Sequence, residues 1–86
     1  MDTILAHNLG LVDEMQDIRF KRLGKAIREK REEQGLAQQQ LAKMIGHSNS
    51  HTYITRVEKG QIKIGLEQLM KIADALGVRV DDLIDF

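Results

Sequence analysis

The chain of 86 residues has no cysteine, proline or tryptophan, which excludes a disulfide framework and a thiolate metal site. Its length favours one small domain. The net charge of the whole chain is zero, but the charge is unevenly distributed. It is −4 over residues 1–17, +7 over residues 18–63 and −3 over residues 64–86. A basic centre between acidic ends favours a polyanionic partner, although the same residues would also serve as a solvated helix face.

The sequence predicts a cytoplasmic protein. No apolar run approaches the ~18 residues of a membrane-spanning helix. The N-terminus also lacks the basic start and apolar stretch of a secretory signal. Helix-forming residues dominate the composition and no segment alternates like a strand, so the chain is expected to be all-α.

Residues 1–16 form an N-terminal extension in this interpretation, ahead of a domain over residues 17–86. The extension carries an apolar stripe, which Gly10 weakens: Ile4, Leu5, Leu9, Val12 and Met15. Several roles stay open for it, namely an arm in a dimer or an extra helix, a cap on the core, and a disordered tail.

Five short helices are predicted in the domain, separated by Gly35, Gly46, Gly60 and Gly77. The first covers residues 17–34 and turns inward Ile18, Leu23, Ala26, Ile27 and the stem of Lys30. The second covers residues 37–45, with Leu41, Ala42 and Ile45 inward, and the third covers residues 53–59, with Ile54 and Val57 buried.

The fourth helix, over residues 66–76, has the clearest amphipathic spacing. Its apolar positions are Leu66, Leu69, Ile72, Ala73 and Leu76. The chain ends in "RVDDLIDF", a short helix expected to have its N-cap near Asp81. The acidic "DDLID" is interpreted as a solvated face.

Two short helices joined at a glycine are typical of a helix-turn-helix. The ordered motifs "LGKAIREKREEQGLAQQQLAKMIG", "YITRVEKG" and "LEQLMKIADALGVRVDDLI" resemble the phage-repressor/Cro (XRE) family of transcriptional regulators. The resemblance covers about residues 20–85. It implies a five-helix domain that binds double-stranded DNA with its third helix in the major groove.

The resemblance also implies roles for individual residues. Gln38 matches a glutamine that contacts phosphate and braces a reading side chain, and Gln39 adds a phosphate contact. The positions that match base readers are His51, Thr52, Thr55 and Arg56. Arg56 is the strongest candidate because a guanidinium binds guanine bidentately. Further contacts to the DNA backbone are expected from Tyr53, Lys59, Gln61 and Lys63.

Arg31 and Glu58 match a buried ion pair that joins the first and third helices of related repressors. The family often dimerises through its last helix, where the apolar residues are Val80, Leu83, Ile84 and Phe86. A homodimer on a palindromic operator is therefore expected, because one domain covers only a half-site.

Among the departures from the family pattern, two affect the starts of the second and third helices. Two additional residues fall between Gly46 and Ile54, within "HSNSHT", and either lengthen the turn or start the third helix early. Three N-cap candidates, Ser48, Asn49 and Ser50, leave that start open. Ala37 stands where the family prefers serine or threonine, which predicts a weaker N-cap on the second helix.

Other classes of site find little support. His47 and His51 have the i,i+4 spacing of two metal ligands, but no third ligand lies nearby in the sequence, so no metal or cofactor is expected. No cysteine nucleophile or glycine-rich phosphate loop indicates an enzyme. The expected function is that of a sequence-specific regulator, bacterial or phage-encoded and associated with the nucleoid. The alternative is a protein-interaction or antitoxin-like module with weak or no DNA binding.

Overall fold

The computed structural model describes the backbone of residues 11–46 and 51–84 and the side chains of residues 18–46 and 51–84. Predictions for residues 1–10, for His47 and the rest of 47–50, and for Phe86 lie outside these residues, as do the side chains of Val12 and Met15. The described part is helical and contains no strand, which confirms the all-α prediction.

Five helices follow one another along the described residues. They are α1 (Leu11–Glu33), α2 (Gln38–Met44), α3 (His51–Glu58), α4 (Leu66–Leu76) and α5 (Val80–Leu83). Each of the four glycines predicted to separate helices adopts a positive φ, as a chain that leaves a helix there requires. None of these five helices combines the length and apolar character needed to cross a membrane.

Two helices start earlier than predicted. α1 begins at Leu11 rather than at residue 17, because segment 11–16 contains no glycine or proline that would interrupt the helix. α3 begins at His51, two residues before Tyr53, which agrees with the early start that the sequence left open. Part of the longer connection after Gly46 is therefore helical, and residues 47–50 lie outside the described part.

The core is built from apolar side chains of all five helices. Its fully or nearly fully buried apolar residues are Leu23, Ile27, Leu41, Ala42, Ile45, Ile54, Val57, Leu69, Ile72, Ala73, Leu76 and Leu83. Two inward predictions were wrong: Ile18 is 54% exposed and Leu66 is 67% exposed. Ile18 lies before the part of α1 that packs on other helices, and Leu66 is the first residue of α4.

α1 crosses the end of α3 in direct backbone contact at Gly24. A β-carbon on Gly24 would lie 2.4 Å from the carbonyl oxygen of Val57 and 2.5 Å from that of Glu58. Gly60 likewise lies against the backbone of α1, because a β-carbon on Gly60 would lie 2.6 Å from the Cα of Lys21. The two glycines therefore fix the C-terminal end of α3 against α1.

α2 and α3 form a helix-turn-helix unit whose turn begins at Gly46. Gly46 has a φ of +89°, a conformation that a side chain would penalise. α2 starts without a side-chain N-cap, since Ala37 has no oxygen to offer. Gln40 compensates in part, because its Oε1 accepts a hydrogen bond of 2.7 Å from the Ala37 N–H.

α5 refines one prediction about the C-terminal end and corrects another. Its N-cap residue is Arg79, two residues before Asp81, and the Arg79 N–H donates to Asp82 Oδ2 at 2.8 Å. Leu83 is fully buried in the chain's own core and has no surface left for a second copy. Leu83 was therefore wrongly assigned to a dimer interface.

Candidate functional site

α3 presents one face to solvent and anchors the other in the core. Ile54 and Val57 are buried, which turns the intervening positions outward. The exposed residues on and just after α3 are His51, Thr52, Arg56 and Lys59, while Tyr53 and Thr55 are half-buried. The proposed base-reading residues thus lie on one side of a single short helix.

Arg31 and Glu58 form a bidentate ion pair beneath this face. Arg31 Nε lies 2.6 Å from Glu58 Oε2, and Arg31 Nη2 donates to Glu58 Oε1 at 3.1 Å. Arg31 Nη1 also donates to the carbonyl of Leu36 at 2.7 Å. The hydrogen bond with Glu58 raises the pKa of Arg31 despite its burial, so the guanidinium remains charged.

Gln38 connects this ion pair to the outward face of α3. Its Nε2 donates to Glu58 Oε1 at 3.0 Å, and its Oε1 accepts from the Thr55 hydroxyl at 2.7 Å. The Glu58 carboxylate only accepts hydrogen bonds, and this fixes the orientation of the Gln38 amide. Gln38 is therefore held from both sides, in the bracing position that the family resemblance implied.

The hydrogen bond to Gln38 limits the contacts that the Thr55 side chain can make with a ligand. The Thr55 hydroxyl has one proton, and Gln38 Oε1 at 2.7 Å lies closer to it than the His51 carbonyl oxygen at 3.1 Å. With that proton used inside the protein, Thr55 offers a ligand its methyl group and its oxygen lone pairs. Thr52 is exposed and has both the hydroxyl and the methyl available.

The surface of α2 and α3 carries no uncompensated negative charge. Glu58 is the only carboxylate in the two helices, and Arg31 neutralises it. The exposed charged residues of the unit and of the loop that follows are Lys43, Arg56, Lys59 and Lys63. The helix-turn-helix and the loop that follows it thus carry +3 of the +7 of residues 18–63, and residues 18–33 of α1 carry the other +4. The positive charge on the helix-turn-helix suits a polyanion.

The remaining predicted contact residues surround this face. Gln39 is exposed on α2, and Gln61 and Lys63 are exposed in the loop after α3. Burial raises the pKa of the half-buried Tyr53, so its hydroxyl stays neutral and able to donate at physiological pH. Among the residues that the structure describes, no group of three His, Asp or Glu side chains could hold a metal ion.

Gly24 is a site residue that the sequence interpretation missed. It brings α1 against the α3 backbone beside Glu58, and so positions both the ion pair and the outward face. The available signal was a lone glycine inside a segment of helical periodicity, which often marks a close approach of two backbones.

Three comparisons with known proteins add to this geometry. A family model described as helix-turn-helix matches residues 27–83. The chain is also similar to the crystal structure of the restriction-modification controller protein C.AhdI from Aeromonas hydrophila, with 32% identity and a TM-score of 0.71. That match covers 76% of this chain and 96% of the other. A search of curated proteins finds no significant match.

Proposed function

Because the chain belongs to the helix-turn-helix family of DNA-binding transcriptional regulators, we propose that it recognises a specific duplex sequence with α3 in the major groove. The family and the fold are those of a regulator rather than an enzyme. A regulator that is bacterial or phage-encoded, as the sequence suggests, acts on DNA in the cytoplasm.

One observation supports the proposal most strongly. Hydrogen-bonded polar side chains hold α3 in place from beneath, and the side chains that α3 exposes are all neutral or basic. Arg31, Glu58 and Gln38 are linked by hydrogen bonds of 2.6–3.1 Å, and Gln38 in turn holds Thr55. A helix held in this way keeps its outward side chains in register with the edges of bases. The absence of an exposed carboxylate on α2 and α3 removes repulsion from phosphates.

We assign base reading to Arg56 and Thr52, with Thr55 and His51 at the flanks of the same face. An exposed guanidinium on α3 suits the O6 and N7 atoms of guanine, a contact worth about 1–3 kcal/mol of discrimination. Lys59 follows the last residue of α3, and we assign it to the DNA backbone together with Gln39, Gln61 and Lys63.

Substitution of Arg56 and Lys59 should separate base reading from backbone binding. For Arg56→Ala, we expect affinity for the preferred duplex to fall about 5- to 100-fold and the sequence preference at one base pair to disappear. For Lys59→Ala, we expect a similar loss on every duplex and a salt dependence shallower by about one contact. The measurement is duplex affinity by fluorescence anisotropy over a series of salt concentrations.

The two variants serve as controls for each other, because each removes one exposed positive charge from the same end of α3. Equal losses on all sequences from both would contradict the assignment of Arg56 to base reading. Absent or salt-insensitive binding by the unsubstituted protein would instead favour the alternative of a protein-interaction module.

We propose a homodimer as the functional form. One domain carries one α3 and covers one half-site, so recognition of a full operator takes two copies related by two-fold symmetry. Val80 on α5 is half-buried, and Ile84, the residue that follows α5, is 37% exposed. These side chains offer apolar surface to a second copy. Leu83 supports this surface from within the core rather than contributing to it.

We further propose that the protein controls the genes of a restriction-modification system. The support is its similarity to C.AhdI, which is described as a restriction-modification controller and is matched over 96% of its length. Deletion of the gene should then change transcription of neighbouring endonuclease or methyltransferase genes.

A further inference from the structure

A polar cleft lies where α1, α2 and α3 meet, beside the outward face of α3. Its volume is about 140 Å³, enough for several water molecules at ~30 Å³ each and hence for one phosphate group. Charged and amide side chains dominate its lining, with Arg28, Arg31, Glu32, Gln38, Glu58 and Lys59 among them. Arg28 and Glu32 had no role in the site predicted from the sequence.

The charges that line the cleft leave an excess of one positive charge. Glu58 and Arg31 cancel each other in the buried ion pair. Arg28 Nε lies 3.3 Å from Glu32 Oε2, in a pair whose side chains are 62% and 53% exposed. Lys59 forms no ion pair with any residue in the described part of the chain.

We propose that this cleft binds one phosphate of the DNA backbone through Arg28 and Lys59, and that Glu32 occupies Arg28 until the phosphate displaces it. An exposed ion pair between neighbouring turns of a helix is weak, whereas a guanidinium binds a phosphate through two parallel hydrogen bonds. This inference rests on the proposed function, because DNA is the source of the phosphate.

The position of the cleft gives this phosphate contact a consequence for base reading. Gln38 lines the cleft and also holds the Thr55 hydroxyl, so a phosphate bound here abuts the residue that braces α3. Arg28 and Lys59 come from different elements, α1 and the end of α3. One phosphate contacting both would fix the angle at which α3 enters the groove.

Neutralising Glu32 tests whether it competes for Arg28. We expect the affinity of Glu32→Gln for a short duplex of arbitrary sequence to be about three times that of Glu29→Gln. A threefold difference is within the strength of one exposed ion pair. Glu29 is the matched control because it is exposed on the same helix, carries the same charge and does not line this cleft. Both variants change the long-range field equally.

Removing Arg28 tests the phosphate contact itself. Arg28→Gln should weaken binding to all duplexes alike and lower the slope of log affinity against log salt by ~0.9, the value for one phosphate contact. Lys71→Gln removes one positive charge from the exposed surface of α4, outside the cleft, and should leave the slope unchanged. Thermal unfolding of each variant verifies that these exposed substitutions leave the fold intact.

The outcomes separate the cleft from the function on which it rests. If the unsubstituted protein binds duplex with a steep salt dependence but each cleft variant matches its control, the cleft proposal is wrong and the regulator stands. If the unsubstituted protein binds no duplex, both are wrong. A competition with inorganic phosphate at constant ionic strength gives the third outcome. If phosphate displaces duplex from the unsubstituted protein but not from Arg28→Gln, the cleft binds phosphate in general, and the assignment of the site to DNA phosphate alone is wrong.

Discussion

Replacement of Arg31 by methionine is expected to lower the free energy of unfolding by about 3–5 kcal/mol. Methionine keeps much of the side-chain volume but leaves the Glu58 carboxylate, whose side chain is only 3% exposed, without its cationic partner. The hydrogen bond from Gln38 alone cannot replace a bidentate guanidinium. The loss should appear in urea unfolding as a lower midpoint with an unchanged slope.

Arg28→Met is the matched control for Arg31→Met. Arg28 lies on the same helix one turn earlier, and its pair with Glu32 is exposed, so its loss should change the unfolding free energy by less than about 1 kcal/mol. The double variant Arg31→Met with Glu58→Leu should recover much of the stability, because no unpaired charge remains buried. Similar losses from Arg31→Met and Arg28→Met would contradict a structural role for the buried pair.

Gly24→Ala is the second substitution for which we expect a large effect. Alanine favours a helix over glycine by about 1 kcal/mol, yet its β-carbon would lie 2.4–2.7 Å from backbone atoms of Val57 and Glu58. Backbone atoms cannot rotate away as a side chain can, so α1 and α3 must separate. Overpacking typically costs about 1–3 kcal/mol, and the helix propensity of alanine offsets about 1 kcal/mol of this. We therefore expect a net loss of up to about 2 kcal/mol and weaker DNA binding from a displaced α3.

Gly65→Ala provides the comparison for Gly24→Ala. Gly65 has a φ of −80°, and a β-carbon there would meet no atom within 4 Å. Its loss should stay near or below about 1 kcal/mol, because replacing a good N-cap residue by alanine typically costs about 1 kcal/mol and replacing it by glycine a few tenths. Chemical denaturation measures both. A Gly24→Ala variant as stable as the unsubstituted protein would show that the two helices can separate without loss, contrary to the geometry at their crossing.

The sequence predicted the helices and most of the core because both depend on local periodicity. The inward residues of α2 and α3 follow directly from a 3,4 spacing in short helices that are ended by glycine. Periodicity defines a face but not how far neighbouring helices extend along it. For this reason Ile18 and Leu66 were wrongly placed in the core.

Local periodicity does not predict contacts between helices that are distant in the sequence. Leu83 looked like surface on a short terminal helix, but α5 folds back on α1 and buries it. Gly24 and the cleft at Arg28 likewise depend on how α1 crosses α3. Gln38 was singled out only through the family resemblance, because nothing in its local sequence indicates a contact with Thr55. Its contact with phosphate stays a prediction.

Selection of bound duplexes from a random pool tests most directly the claim that the protein reads a specific sequence with α3. We expect the enriched duplexes to share two inverted copies of a short half-site, with centres about one helical turn apart, as a symmetric pair of α3 helices requires. The same selection with Arg56→Ala should lose the preference at one position of each half-site. A pool without any enriched sequence would contradict sequence-specific recognition, and a single unrepeated half-site would contradict the homodimer.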